Sequence, residues 1–129
     1  MRIVVMLGII LMVSACSIKP YSIIDGSQIN RADTDQYQVI ILSINEKLYP
    51  DGRKTKQIQP GPILVKVATT KQGFGKLTPY QYLTIDARPC VRYLLAAQHE
   101  GVSNRNWQAK IIAEEEISYC KEAMDKQNK

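Results

Sequence analysis

Three cysteines (Cys16, Cys90, Cys120), one histidine (His99) and the run Glu114-Glu115-Glu116 are the side chains of this 129-residue chain best suited to covalent, metal or proton-transfer chemistry. Their surroundings argue against most of it. His99 is the only histidine, stands beside Glu100 in the polar stretch 99–106 (HEGVSNRN), and has no nearby cysteine or acidic spacing that would define a metal site. It is expected to be a solvated loop residue, and neither a metal nor a cofactor is expected. The glutamate run reads more simply as a solvated charge run than as an acid and base pair. The chain has no G-x-S-x-G, no H-E-x-x-H and no glycine-rich phosphate loop. A non-catalytic protein is therefore the expectation, with a hydrolase of the cell envelope as the alternative from another class.

The first cysteine follows a distinctive leader. Arg2 supplies a positive start, and residues 3–13 (IVVMLGIILMV) form an unbroken apolar run, the pattern of a secretory signal. Eleven residues at about 1.5 Å each reach about half of the roughly 30 Å hydrocarbon core, too short for a good transmembrane helix. After the run, Val13-Ser14-Ala15-Cys16 resembles the lipobox of bacterial lipoproteins: an aliphatic residue, two small residues and the cysteine that becomes the mature N-terminus. The competing reading is an ordinary signal peptide with a chance cysteine. The resemblance implies cleavage before Cys16, a diacylglycerol on its thiol and a further acyl chain, such as palmitate, on its amine. At about 0.8 kcal/mol per buried CH₂, several chains anchor a protein almost permanently. Ser17 in place of Asp, by resemblance to the bacterial sorting pattern, points to the periplasmic face of the outer membrane; the inner membrane is the alternative.

Removal of residues 1–15 leaves 114 residues, enough for one domain. Arg2 is the one charge of the leader, so the mature chain keeps 16 basic and 12 acidic side chains, a net of about +4. That balance permits an anionic partner but lacks the clustered charge of a nucleic-acid binder, and export makes nucleic acid an unexpected partner. With Cys16 assigned to lipid, Cys90 and Cys120 are the pair that remains, and in an oxidising periplasm they are expected to form a disulfide. Zinc binding, redox exchange and a catalytic thiol compete less well, for want of a C-x-x-C spacing or a nearby histidine.

The elements that must position these residues are β-strands. Residues 16–35 mix Pro20, Gly26, Ser, Asn and Asp and read as a lipidated N-terminus and flexible tether, with room for a short strand at Tyr21–Ile24, that lets the domain stand off the membrane. From residue 37 onward, apolar runs broken by turn residues predict strands at Tyr37–Ile44, Pro62–Thr69, Pro79–Asp86, Val91–Gln98 and Trp107–Ala113, and a shorter one at Ile117–Cys120. Val39–Leu42 is apolar on both faces. Ile63, Val65 and Val67 alternate with Leu64, Lys66 and Ala68, and Leu83 and Ile85 are expected inward, opposite Tyr80 and Tyr82. Trp107, Ala109 and Ile111 form a further same-face row. The aromatics are expected to pack the core and pair across strands rather than to form a ligand platform. Asp51-Gly52 and Pro60-Gly61 are expected to make hairpin-like reversals, and residues 70–76 and 99–106 to be connections. Only residues 114–128 have helical composition, as a short helix or a frayed end.

The whole reads as an all-β protein: a single antiparallel β-sandwich over residues 36–120, or alternatively a small β-barrel, with a polar tail at 121–129. The segments Ile58–Gly61, Cys90–Ala96 and Trp107–Ile111 resemble those of small bacterial lipoproteins with a transthyretin-like or related β-sandwich. The likeness covers about two thirds of the mature chain. It implies the fold and no activity.

One charged feature remains. Lys47, Arg53, Lys54 and Lys56 fall around Asp51-Gly52 and are expected to crowd one end of the domain. They could meet lipid head groups, cell-wall carboxylates or an acidic envelope protein, or serve only as a hydrated, solubilising surface. The function expected is a lipid-anchored envelope protein of binding or structural accessory type.

Overall fold

The computed structural model describes residues 19–71, 80–100 and 106–127. The leader, the Val13–Cys16 sequence and most of both expected connections lie outside the described residues. Among the described residues, nine strands form two sheets that pack as a β-sandwich and do not close into a barrel. One sheet holds β1 (Ser22–Asp25), β2 (Gln36–Tyr37), β5 (Thr55–Ile58), β8 (Val91–His99) and β9 (Trp107–Glu116). The other runs in the order β4 (Lys47–Leu48), β3 (Val39–Ile44), β6 (Gly61–Thr69) and β7 (Gln81–Ala87).

The core follows from the period-two alternation. Ile63, Val65 and Val67 of β6 are buried while Leu64 is exposed, and Ile85 and Ala87 of β7 turn inward while Tyr82 is exposed. They meet Ile24, Tyr93, Leu95 and Ala97 of the facing sheet. The buried hydroxyl of Tyr93 accepts a hydrogen bond from the Arg88 amide at 2.8 Å, so the ring is buried without leaving its polar tip unsatisfied. Strand β8 is buried on both faces over Tyr93–Ala97. It pairs with β9 along its whole length, and its other edge is shared by β1 and β2.

Several expectations change. The tether of 16–35 is shorter, because β1 lies between β8 and β5, with Ile24 fully buried. Its pairing with β8 is parallel, whereas the other strand pairs are antiparallel. Gly26, in sequence a linker residue, is a packing residue: a Cβ there would sit 2.4 Å from Val39 Cγ2 and 2.6 Å from the Val39 carbonyl oxygen. Neither Asp51-Gly52 nor Pro60-Gly61 makes a hairpin. Gly52 and Gly61 do take positive φ, but both turns carry the chain from one sheet to the other. The hairpin is made by Asn45 (φ 48°) and Glu46 (φ 71°) between β3 and β4. Two successive positive φ angles suit the right-handed strand twist, and Asn tolerates them better than most residues. The Asn45 side chain also accepts from the Leu64 amide at 2.8 Å, extending the β3–β6 ladder.

At the C-terminal end, the expected strand Ile117–Cys120 is instead the entry to a helix, α1 (Ser118–Gln127). Cys90 and Cys120 form a disulfide that ties it to the start of β8. Cys120 is the one buried residue of α1, so apolar burial contributes little to holding the helix in place. Ile111, expected to continue the inward row of Trp107 and Ala109, is 37% exposed. It still shares their face, pairing with Leu95 as Ala109 pairs with Ala97, but β9 is an edge strand beside β8; past Ile111 a register shift between Leu94 and Leu95 leaves Ile112 as an extra residue.

Candidate anion-binding site

The basic residues lie on the edge of the sandwich where β4 and β5 face each other. The Asn45-Glu46 turn sends β4 back along β3, and the chain then crosses to β5 in the other sheet. Tyr49, between them, packs one side of its ring against the core. Around the ring stand the Arg53 guanidinium at 4.8 Å, the Lys56 ammonium at 5.5 Å and the Lys47 ammonium at 5.9 Å from its centroid. Each is within the range in which a cation is drawn to an aromatic face, worth about 0.5–1 kcal/mol when exposed. The ring therefore gathers three cations that would otherwise repel.

Asp51 neutralises part of this charge. Its carboxylate accepts from Arg53 Nε at 3.1 Å and Nη2 at 2.7 Å. That hydrogen bonding, with the attraction of opposite charges, holds the Asp51 carboxyl below its ordinary range and raises the Arg53 guanidinium. Among the described residues, Lys47 and Lys56 have no ion-pair partner. Lys54, expected with the others, points elsewhere: its ammonium donates to Gln38 Oε1 at 2.7 Å. The cluster is thus Lys47, Arg53 and Lys56 around Tyr49. Sequence reading missed Tyr49, though its place between Lys47 and Arg53, before Pro50-Asp51-Gly52, was visible.

His99 is not a solvated loop residue. It ends β8 and is 2% exposed. Its Nε2 is hydrogen-bonded to Thr69 Oγ1 at 2.8 Å, and its ring lies between Tyr37, edge-on at 5.0 Å, and Trp107, stacked at 5.9 Å. The expectation failed because the apolar row of β8 runs one residue beyond Gln98, carrying the imidazole between the sheets. Burial lowers its pKa below 6.5, and the positive charge of Lys71 lowers it further against the opposing pull of Asp35. The folded state thus holds His99 neutral where the unfolded chain would take a proton. Stability from this group is complete above about pH 6.5 and is lost as pH falls toward the lowered pKa of the folded state. The urea midpoint is expected to drop more steeply from pH 7 to pH 5 in the wild type than in His99→Phe. Parallel curves would contradict this.

The glutamate run is divided among partners. Glu114 pairs with Arg88, and Glu116 pairs with Lys121 of α1. These ion pairs, with Cys90 and Met124, line a groove of about 460 Å³ between α1 and the end of β9. No group of His, Cys, Asp and Glu among the described residues could hold a metal ion. No protein-family model, no curated protein and no solved structure matches the chain.

Proposed function

We propose that this protein is a non-catalytic accessory of the bacterial cell envelope, anchored by lipid on Cys16 at the periplasmic face of the outer membrane, whose sandwich binds an anionic envelope component at the β4–β5 edge. The leader and the Val13–Cys16 sequence support the anchor. The convergence of Lys47, Arg53 and Lys56 on Tyr49 carries the binding reading, because among the described residues two of the three cations have no ion-pair partner. An anion of the cell wall or of a lipid surface would supply the missing counter-charge, worth about 1 kcal/mol per basic residue near a negative surface.

The test is co-sedimentation of the unlipidated domain with isolated cell wall and with anionic vesicles. Changing Lys47, Arg53 and Lys56 together to Gln is expected to weaken sedimentation about tenfold to a hundredfold, whereas Lys54→Gln, outside the cluster, should stay near wild type. Binding should also fall with salt, since the screening length is about 8 Å at physiological ionic strength. Equal sedimentation of wild type and triple variant would assign the three residues to solubility alone.

A further inference from the structure

The chain enters the sandwich almost at once after Cys16. Residue 21 is already bonded into the fold: its carbonyl oxygen accepts from the Cys90 amide at 2.8 Å, and β1 starts at the next residue. Tyr21 is five positions on from Cys16, and a fully extended chain over that separation reaches at most about 18 Å. Whatever surface holds the acyl chains of Cys16 therefore lies within that distance of Tyr21. One end of the sandwich is brought against it.

That end is well defined. Strand register places Ser22 beside Ile58, Gly61 beside Ala87 and Val91 beside Glu116, so these strand termini share it. The hydroxyl of Ser22 donates to the Arg88 carbonyl, joining the two sheets there. Cys120 Sγ lies 3.7 Å from the Tyr21 carbonyl oxygen, which puts α1 at the same end. Next to it in sequence, Tyr119 is 74% exposed, the most exposed large apolar side chain among the described residues. At the same end, Arg88, Glu114, Glu116 and Lys121 present both signs of charge in two ion pairs.

We infer that this end of the domain docks on the bilayer that carries its own anchor, with Tyr119 at the level of the head groups and the two ion pairs facing a zwitterionic lipid surface. An amphipathic tyrosine suits that interface, where its ring meets the acyl boundary and its hydroxyl stays wet. Paired charges match head groups that themselves carry an ammonium and a phosphate. The docked end is distinct from the basic β4–β5 edge, which stays free for a partner. The inference rests on lipidation of Cys16. It makes the domain a membrane-apposed module, not one on a long tether.

The experiment uses the lipidated mature protein in phosphatidylcholine and phosphatidylethanolamine vesicles containing lipid brominated near the top of the acyl chains. Tyr119→Trp and Tyr82→Trp report the two positions; Tyr82 lies on the outer sheet face, five residues of β7 from the docked end, or roughly 17 Å. Trp107, 3% exposed at the far end of the sandwich, gives a background read from the unsubstituted protein. Bromolipid quenching of Tyr119→Trp is expected to exceed that of Tyr82→Trp at least twofold. Incorporation of labelled palmitate into the same preparations reads the anchor separately. Equal quenching with palmitate present would overturn the docking and leave the anchor standing. Absence of palmitate would overturn both.

Discussion

A protein carrying Cys90→Ser and Cys120→Ser together is expected to unfold at a urea concentration about 2 M lower than the wild type. The bond closes a loop with a sequence separation of 30, and in the chain-entropy model a loop of that size adds about 3–4 kcal/mol by restricting the unfolded chain. That is a large share of the roughly 5–15 kcal/mol that holds a domain together. Here the effect has a local component as well. Helix α1 buries only Cys120, and the Lys121–Glu116 ion pair joining it to β9 is exposed, a kind of contact worth at most about 1 kcal/mol. Without the disulfide the helix should leave the sheet, and its amides should exchange with solvent much faster than those of β8. An unchanged midpoint in the double serine variant, or slow exchange in α1, would refute this account.

Cys16→Ser is expected to have the largest effect on where the protein resides. If the thiol of Cys16 carries diacylglycerol, the serine variant cannot be acylated, and labelled palmitate should be absent from it. Loss of several acyl chains removes nearly all of the anchoring energy, at about 0.8 kcal/mol per buried CH₂. Zwitterionic contacts at Tyr119 are far too weak to replace it. Fractionation should therefore find the variant outside the membrane pellet or retained as an uncleaved precursor that carbonate extracts. A Cys16→Ser protein that still takes up palmitate would end the lipoprotein reading, and with it the docking of the Tyr119 end.

With both proposals in place, the two surfaces would divide the work. Docking by the end at Tyr21, Cys90 and α1 would leave the β4–β5 edge facing sideways and the Tyr37–His99–Trp107 end pointing away from the bilayer. The nine residues of β8 at about 3.3 Å each set that far end roughly 30 Å from the lipid. An anionic partner approaching along the envelope would meet Lys47, Arg53 and Lys56 without competing with the head groups below.

The amino-acid sequence by itself determined which faces of β6 and β7 would be buried. Ile63, Val65 and Val67, and Leu83 and Ile85, declare their inward faces through spacing alone, because successive side chains of a strand point to opposite sides whatever its neighbours are. Cysteine number likewise pointed to the Cys90–Cys120 bond. What only the tertiary structure decided is which strands pair, and so where side chains from different strands meet. Alternation carries no label for a partner, so Asp51-Gly52 and Pro60-Gly61 could announce turns without revealing that they cross between sheets. Short β1, a strand that its own composition allowed, gained its central place from β8 and β5. His99 became an interior residue because Tyr37, Thr69 and Trp107 close around it from three other strands. Tyr49 became the centre of the basic cluster for the same reason: the crossing from β4 to β5 folds Lys47 and Lys56 onto one ring, while Lys54, of like charge and adjacent in sequence, turns to Gln38. Distances between strands come from the packing of two sheets, a cooperative property that no local stretch of sequence contains.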